Sequence, residues 1–353
     1  MTFRKKIMTP IAVLLMVLSS SAVNAIVSPQ EKKVIHALRV QMIGPQLDTL
    51  VTVTKGFVHK TESSCVNSAK VLDYRQQLLH DFIALKSEWK KSYLLSFGPL
   101  MMGDFSRQTD FRPVRRASVE KTLNASELKN TVPDFTEASV SVKGLPVIEL
   151  LLAESGSPLV HQSYCNYLLA LGLDLLRNAR GMLSLLQAHK EDYDRGIFQK
   201  APIRDLMLNH IIHQFNDIEN RYIARPFGFK YSTLKRKDLL SSGLSESSRQ
   251  DLIASLEMLN KIFFCGNPHS SCQSILSLLP DSTKGLKSRL ETAIAQLGTL
   301  LNQSPAFESV IESNDLSPVR AVYDGVQRLN RLMSADLISS LGVTLTFSDN
   351  DGD

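Results

Sequence analysis

Residues 317–342 read SPVRAVYDGVQRLNRLMSADLISSLG, and this stretch decides the class of fold. Its apolar residues recur at spacings of three and four, the period of one face of an α-helix. They are Val319, Val322, Val326, Leu329, Met333 and Leu337. Ser317 and Pro318 are typical of a helix start, and Gly342 is typical of a helix end. The stretch therefore predicts an amphipathic helix whose apolar face must be buried.

Two other stretches carry the same helical stripe. The first consists of Leu78, Phe82, Leu85 and Trp89, and the second of Leu252, Leu256, Leu259 and Phe263. Ser28, Pro29 and Glu31 predict the capped start of a first helix. Ser247 and Gln250 form a similar capping-box pair before the second stripe.

Alternation of period two is scarce, and residues 343–347 are the only convincing extended piece. Helical stripes of this kind bury one another, so the sequence predicts an all-α fold of two packed helix bundles with minimal β structure. The polar stretch 234–248, rich in Ser and Lys, is the most linker-like. We expect an N-terminal bundle over 26–235 and a C-terminal bundle over 236–353.

The first 25 residues have the order of a secretory signal peptide: a basic start, an apolar run over 7–18 and a small-residue end at Ala25. The apolar run is shorter than the roughly 20 residues that cross a bilayer, which disfavours the alternative of an uncleaved anchor. We expect cleavage after residue 25, export to the periplasm and no transmembrane segment in the mature chain.

The composition is that of a packed protein: 353 residues, 43% hydrophobic and 21% charged, which excludes a disordered chain. The net charge is +5, but residues 1–25 carry three bases and no acid, so the remainder has 37 basic and 35 acidic residues. This near-neutral balance gives no electrostatic reason to expect nucleic acid or an anionic membrane as partner.

Export would allow the four cysteines to form disulfide bonds, with three possible connectivities. Cys265 and Cys272 enclose a turn-rich segment that favours a local bridge, which would leave Cys65 and Cys165 as the second pair. A zinc site is the alternative, but the chain contains no Cys-x-x-Cys pair.

Few motifs suggest chemistry. The chain has no His-Glu-x-x-His, Gly-x-Ser-x-Gly, Walker or dinucleotide-binding motif. His210, His213 and Asp217 share one face of a helical run and could ligate a divalent metal, although a half-exposed polar stripe is the favoured interpretation.

Residues 143–152 read KGLPVIELLL, in which Gly144 and Pro146 allow a bend before an apolar helix that contains Glu149. A carboxylate among apolar neighbours must be paired, hydrogen-bonded or functional, because burying it alone is costly. On chemistry alone, a structural Glu in the first turns of a helix, stabilised by the helix dipole, is favoured over a functional one.

This segment resembles the imelysin-like proteins, whose hallmark is Gly-x-His-x-x-Glu. Gly144, Pro146 and Glu149 match the variant of that motif which begins Lys-Gly-Leu-Pro. Further landmarks agree in order: Trp89, then residues 97–99, 165–168, 225–228 and 341–353. The resemblance spans about residues 29–353.

The resemblance implies two helix bundles, export, a site around the motif at the bundle interface, a link to iron regulation and uptake, and, in some members, metallopeptidase activity. Pro146 stands where the motif has histidine, so a His/Glu metal pair cannot form there. We therefore favour a non-enzymatic binding or accessory protein of periplasmic iron acquisition, with a site around Glu149. Its expected partners are iron-uptake proteins of the cell envelope. The expected cofactor, if the protein has one, is a divalent metal or iron. A divergent metallopeptidase that uses His210 and His213 and an interaction scaffold are the alternatives.

Overall fold

The computed structural model describes residues 27–66, 71–125, 128, 131–153, 162–230, 232–265 and 273–346. The α-helices in these residues are α1 (Pro29–Leu38), α2 (Gly44–Val66), α3 (Val71–Leu94), α4 (Phe105–Thr109), α5 (Arg116–Leu123), α6 (Leu145–Ala153), α7 (Gln162–Ala188), α8 (Lys190–Arg195), α9 (Ile203–Asp217), α10 (Ser248–Phe264), α11 (Lys284–Gln303), α12 (Phe307–Glu312), α13 (Ser317–Arg331) and α14 (Ile338–Leu341). Shorter 3₁₀ turns are Gly98–Gly103, Val140–Val142, Lys237–Leu239, Ile275–Leu278 and Asp281–Thr283.

Two short strands interrupt the helices: β1 (Ile197–Phe198) and β2 (Ala201–Pro202) pair antiparallel, and Ile197 lies opposite Pro202. This hairpin was not predicted. Residues 343–346, the described part of the predicted extended piece, do not join a sheet. Instead the side-chain amide of Asn209 bonds the backbone of Thr344 and Thr346 at 3.1 and 2.8 Å. The predicted all-α class with minimal β structure is confirmed.

Several helices are continued by π-helical turns. Arg39–Ile43 joins α1 to α2, Ile218–Ala224 extends α9, and Leu332–Leu337 joins α13 to α14. The predicted helix over 317–342 is therefore one rod with a π turn near its end, and Gly342 closes it with φ of +63°. A π turn inserts a residue into a helix and often lies at a functional site.

The predicted stripes form the core. The six apolar residues of the 317–342 stretch are each 0% exposed, and the four residues of the α3 stripe are at most 2% exposed. α2 packs against α3 and α7, α10 packs against α3, and α11 packs against α13. Burial of amphipathic faces against one another thus builds the fold, as the spacing predicted.

The second half of the predicted linker is not a solvated connection. Ser241, Ser242, Ser245 and Ser247 are each at most 8% exposed and lie between α3, α6 and α10. Their hydroxyl groups are bound to buried charges, which is why a polar stretch of this composition is folded inward. The bundle boundary at residues 235–236 stays a prediction.

Cys65 and Cys165 form a disulfide bond that joins α2 to α7, with Cα atoms 5.6 Å apart. Cys265 is also disulfide-bonded, but its predicted partner Cys272 lies outside the described residues. The predicted signal peptide, 1–25, lies outside them too. None of the described helices combines the length and apolar character that crossing a bilayer requires.

Removing the bond between Cys65 and Cys165 should weaken the protein, because the bond spans 100 residues of sequence and restricts the unfolded chain. We expect the double variant Cys65→Ser/Cys165→Ser to lose about 2–5 kcal/mol in free energy of unfolding. Urea denaturation followed by circular dichroism measures the loss. An unchanged midpoint would contradict a stabilising role for this bond.

Candidate functional site

The bend before α6 requires a glycine. Gly144 has φ of +87°, and a Cβ atom at this position would lie 2.5 Å from the carbonyl oxygen of Thr109. Pro146 follows in the first turn of α6, where its missing N–H group is not needed. Gly144 and Pro146 therefore fix the direction in which α6, and Glu149 on it, enter the core.

Glu149 is 1% exposed, and both of its carboxylate oxygens are bound. Oε1 accepts hydrogen bonds from the backbone N–H and the hydroxyl of Ser245, at 3.0 and 2.7 Å. Oε2 accepts a hydrogen bond from the guanidinium of Arg112 at 3.3 Å. These three donors lie far from Glu149 in sequence, so the carboxylate joins α6 to two other parts of the chain.

Arg112 links Glu149 to a second ion pair. Its Nε donates to Asp110 at 3.1 Å, and Asp110 also accepts from the ammonium of Lys90 at 2.7 Å. Although burial acts to raise it, the pKa of Asp110 is lowered to about 2 by Lys90 and Arg112. The same contact with Asp110 outweighs burial at Lys90 and raises its pKa. Lys90 and Asp110 therefore stay charged at neutral pH.

Lys86, one helical turn before Lys90 on α3, lies on the other side of Ser245. It is 1% exposed, donates to the hydroxyl groups of Ser247 and Ser245 at 2.5 and 3.2 Å, and lies 3.4 Å from Asp251. Ser247 is the residue before α10, but its hydroxyl caps no backbone N–H. The predicted capping box of Ser247 and Gln250 is therefore wrong, because Lys86 competes for this hydroxyl.

Glu149 lies in the wall of an open cleft of about 680 Å³. The lining comes from Arg112 to Arg116, the start of α6, the end of the π turn after α9, and residues 237–244. Pro146 and Leu150 share this wall with Glu149. Pro146 and Glu149 of the motif thus meet a cavity of the size that binds small molecules in other proteins.

The residues around Glu149 do not suit a metal ion. Its carboxylate oxygens already accept three hydrogen bonds, its charged neighbour is the cation Arg112, and Pro146 has no ligand atom. Within the described ranges, no group of three or more His, Cys, Asp or Glu side chains is arranged to hold a metal. A metallopeptidase centre at this motif therefore does not fit the donor set.

The other predicted metal ligands are not arranged as a site either. His210 is 8% exposed, and its Nε2 lies 2.8 Å from the carbonyl oxygen of Tyr93, which can only accept, so this nitrogen is the donor. His213 is exposed and Asp217 is half-buried. Burial lowers the pKa of His210 to about 4, so the ring is neutral and belongs to the helix packing.

Sequence reasoning singled out Gly144, Pro146 and Glu149 as candidates but missed the residues that hold Glu149 in place. A signal was available only for Lys86 and Lys90, which lie further along the chain of contacts, since each follows a buried residue of the α3 stripe by one position. A lysine that is itself buried beside such a stripe requires hydrogen-bonding or carboxylate partners. Nothing in the local sequence around Ser245 or Arg112 identifies either residue as a partner of Glu149.

The comparisons with known proteins concern the family and the fold. The sequence model of the imelysin family matches residues 44–334. The chain belongs to the imelysin family. No curated protein matches the chain in sequence.

Two solved structures share the family's fold. The chain is similar to an imelysin-like protein from Psychrobacter arcticum, with a TM-score of 0.76 and 19% identity over 91% of this chain and 98% of that one. It is also similar to a "putative iron-regulated protein A precursor" from Parabacteroides distasonis, with a TM-score of 0.72 and 13% identity over 87% of this chain and 94% of that one. At these identities the likeness concerns the fold alone.

Replacing Gly144 by Ala should destabilise the protein, because the new Cβ would meet the Thr109 carbonyl and the backbone has a left-handed conformation. We expect a loss of about 1–3 kcal/mol in free energy of unfolding. Gly56→Ala is the control: Gly56 lies within α2, and no atom of the described residues outside that helix lies within 4 Å of the added methyl group, so the variant should be unchanged or more stable. Equal midpoints for both variants in chemical denaturation would contradict this role for Gly144.

His210 should make the stability depend on pH. Its pKa is 6.5 in the unfolded chain and about 4 in the folded one, so acid protonates the unfolded chain first. Stability is therefore retained above pH 6.5 and lost as the pH falls towards 4, by up to about 3 kcal/mol. His210→Gln should flatten this part of the profile, whereas the control His213→Gln, at an exposed position, should not. Parallel profiles for both variants and the parent would contradict the assignment.

Proposed function

We propose that this chain is an exported, non-enzymatic binding protein of an iron-related process in the periplasm, and that its ligand lies in the cleft beside Glu149. One observation carries the proposal: the family's motif helix forms the wall of a cavity of about 680 Å³. The motif is thereby placed next to a space that can hold a small molecule, and its rigid surroundings would keep that space open.

Two features support export. The first 25 residues have the order of a signal peptide. The disulfide bond between Cys65 and Cys165 is of the kind that persists in oxidising compartments such as the periplasm.

The link to iron comes from the relatives. A protein from Parabacteroides distasonis with the same fold is described as iron-regulated. We extend this link to the present chain as part of the proposal, and envelope proteins of iron uptake are the partners that it would require.

Peptide hydrolysis needs a metal-activated water or a nucleophile with a base. Ser247 beside Lys86 is an arrangement near the motif that resembles a nucleophile with a base; Ser245, also next to Lys86, donates its hydroxyl to Glu149. Ser247 is only 1% exposed, and Lys86 is also held by Asp251 at 3.4 Å. A peptide carbonyl cannot reach this hydroxyl, which favours binding over catalysis.

A cleft-filling substitution tests the proposal. In a strain lacking this protein and grown under iron limitation, the wild-type gene should restore cellular iron accumulation. Leu244→Trp, which adds an indole ring to the cleft wall at a residue 43% exposed, should reduce this restoration at least several-fold.

Leu173→Trp is the matched control, because Leu173 is 44% exposed and lies outside the cleft lining. Both variants should show the thermal midpoint of the parent. Equal iron accumulation with Leu244→Trp and with the parent would contradict the proposal. Cleavage of an unfolded polypeptide by the purified protein would also contradict the proposal, provided that the cleavage requires added zinc and is abolished by a chelator.

A further inference from the structure

The cleft beside Glu149 has an unbalanced charge. Five cationic side chains line it, against the two carboxylates of Glu149 and Asp238. The cations are Arg112, Arg116, Arg221, Arg225 and Lys237. The carboxylates contribute little negative charge to the open space, because Glu149 is bound by Arg112 and Ser245, and Asp238 accepts two hydrogen bonds from Arg236.

Arg221 and Arg225 supply the charge that the protein itself does not neutralise. Both are exposed, and within the described part of the chain neither side chain forms an ion pair or a hydrogen bond. The Arg221 guanidinium lies 5.9 Å from the centroid of the Tyr222 ring. Lys237, by contrast, is paired with Glu312, and Arg112 with Asp110.

The backbone brings these two guanidinium groups to the same cavity. Arg221 lies in the π-helical turn Ile218–Ala224. Arg225 is the first residue after that turn and lies four positions after Arg221 in sequence. Like charges at this spacing repel one another and destabilise a helix. Gly228, with φ of +69° and no room for a Cβ atom beside Thr233, turns the chain immediately after Arg225. The turn therefore brings two cationic side chains to the cleft four residues apart, with no acidic residue between them in sequence.

We propose that this cleft binds a small molecule with several oxyanion groups, such as a polycarboxylate, through Arg221 and Arg225. Guanidinium groups form paired hydrogen bonds with carboxylate or phosphate oxygens, and a bound anion would relieve the repulsion between the two arginines. The cavity of about 680 Å³ exceeds the volume of a simple inorganic ion and suits a small organic ligand.

This inference rests on the proposed function and specifies its ligand. Bare iron ions are cations and are repelled by this lining. A polycarboxylate can enter the cleft either free or as its anionic ferric chelate. The two forms present the same oxyanion chemistry to the arginines, and the experiment distinguishes them.

The test is isothermal titration of the full mature chain with citrate, and separately with ferric citrate and pyrophosphate, at low and at high salt. Citrate should bind, and more weakly at high salt, because salt screens the attraction between charges. Arg221→Gln/Arg225→Gln should weaken binding at least tenfold. Arg180→Gln/Arg331→Gln is the control, since both of these arginines are exposed and lie outside the cleft lining. The two double variants change the total charge of the protein by the same amount.

Binding of either citrate form that is lost in the cleft variant and retained in the control supports the inference. Absence of binding of all three probes to the parent overturns it, as does an equal loss in both double variants, which would show a general charge effect. If no probe binds and Leu244→Trp still impairs iron accumulation, this inference fails and the proposed function stands. If free citrate binds and ferric citrate does not, the oxyanion site stands and the iron link fails.

Discussion

The structure around the motif depends on the cost of burying charge. A carboxylate removed from water is tolerated only when it is paired and hydrogen-bonded, since the unpaired ion loses several kcal/mol of solvation. Glu149 meets this condition through Arg112 and Ser245. Arg112 in turn needs Asp110, which needs Lys90. Satisfying one buried charge thus fixes α6, the segment before α5 and the serine-rich segment before α10 against α3.

This requirement also sets the charge of the cleft. The acidic groups closest to the motif are used inside the wall, where they bind cations and hydroxyl groups of the protein. Arg221 and Arg225, which also line the cleft, receive no such partner among the described residues. A cavity next to an acidic motif is therefore positive overall. The charge of a motif residue therefore does not by itself give the charge of the cavity next to it. A motif residue that is paired within the protein contributes little charge to the solvent-filled cavity.

The fold could be predicted from local patterns, whereas the site could not be completed from them. Apolar spacing identifies the buried face of a helix directly, so Val319 and Phe82 were placed in the core correctly. Contacts between distant residues leave no such period: Lys86 meets Ser247 across 161 positions of sequence. The capping-box prediction at Ser247 failed for this reason, because a local rule identified a hydroxyl acceptor and a distant lysine took it. The β hairpin was missed because each strand is only two residues long.

Proline at position 146 is compatible with a fold in which the buried contacts of the motif are separate from the residues that face the cleft. The bend depends on Gly144 and on the close approach of Thr109, and Glu149 is held by groups outside the motif. None of these interactions requires an imidazole at 146, so loss of the histidine leaves the corner intact. The contacts of Glu149 with Arg112 and Ser245 are enough to account for a buried carboxylate at this position without any role in hydrolysis. A family scaffold can keep its architecture in this way while the residues that line the cleft, here Arg221 in a π turn and Arg225 after it, set the charge of that cleft.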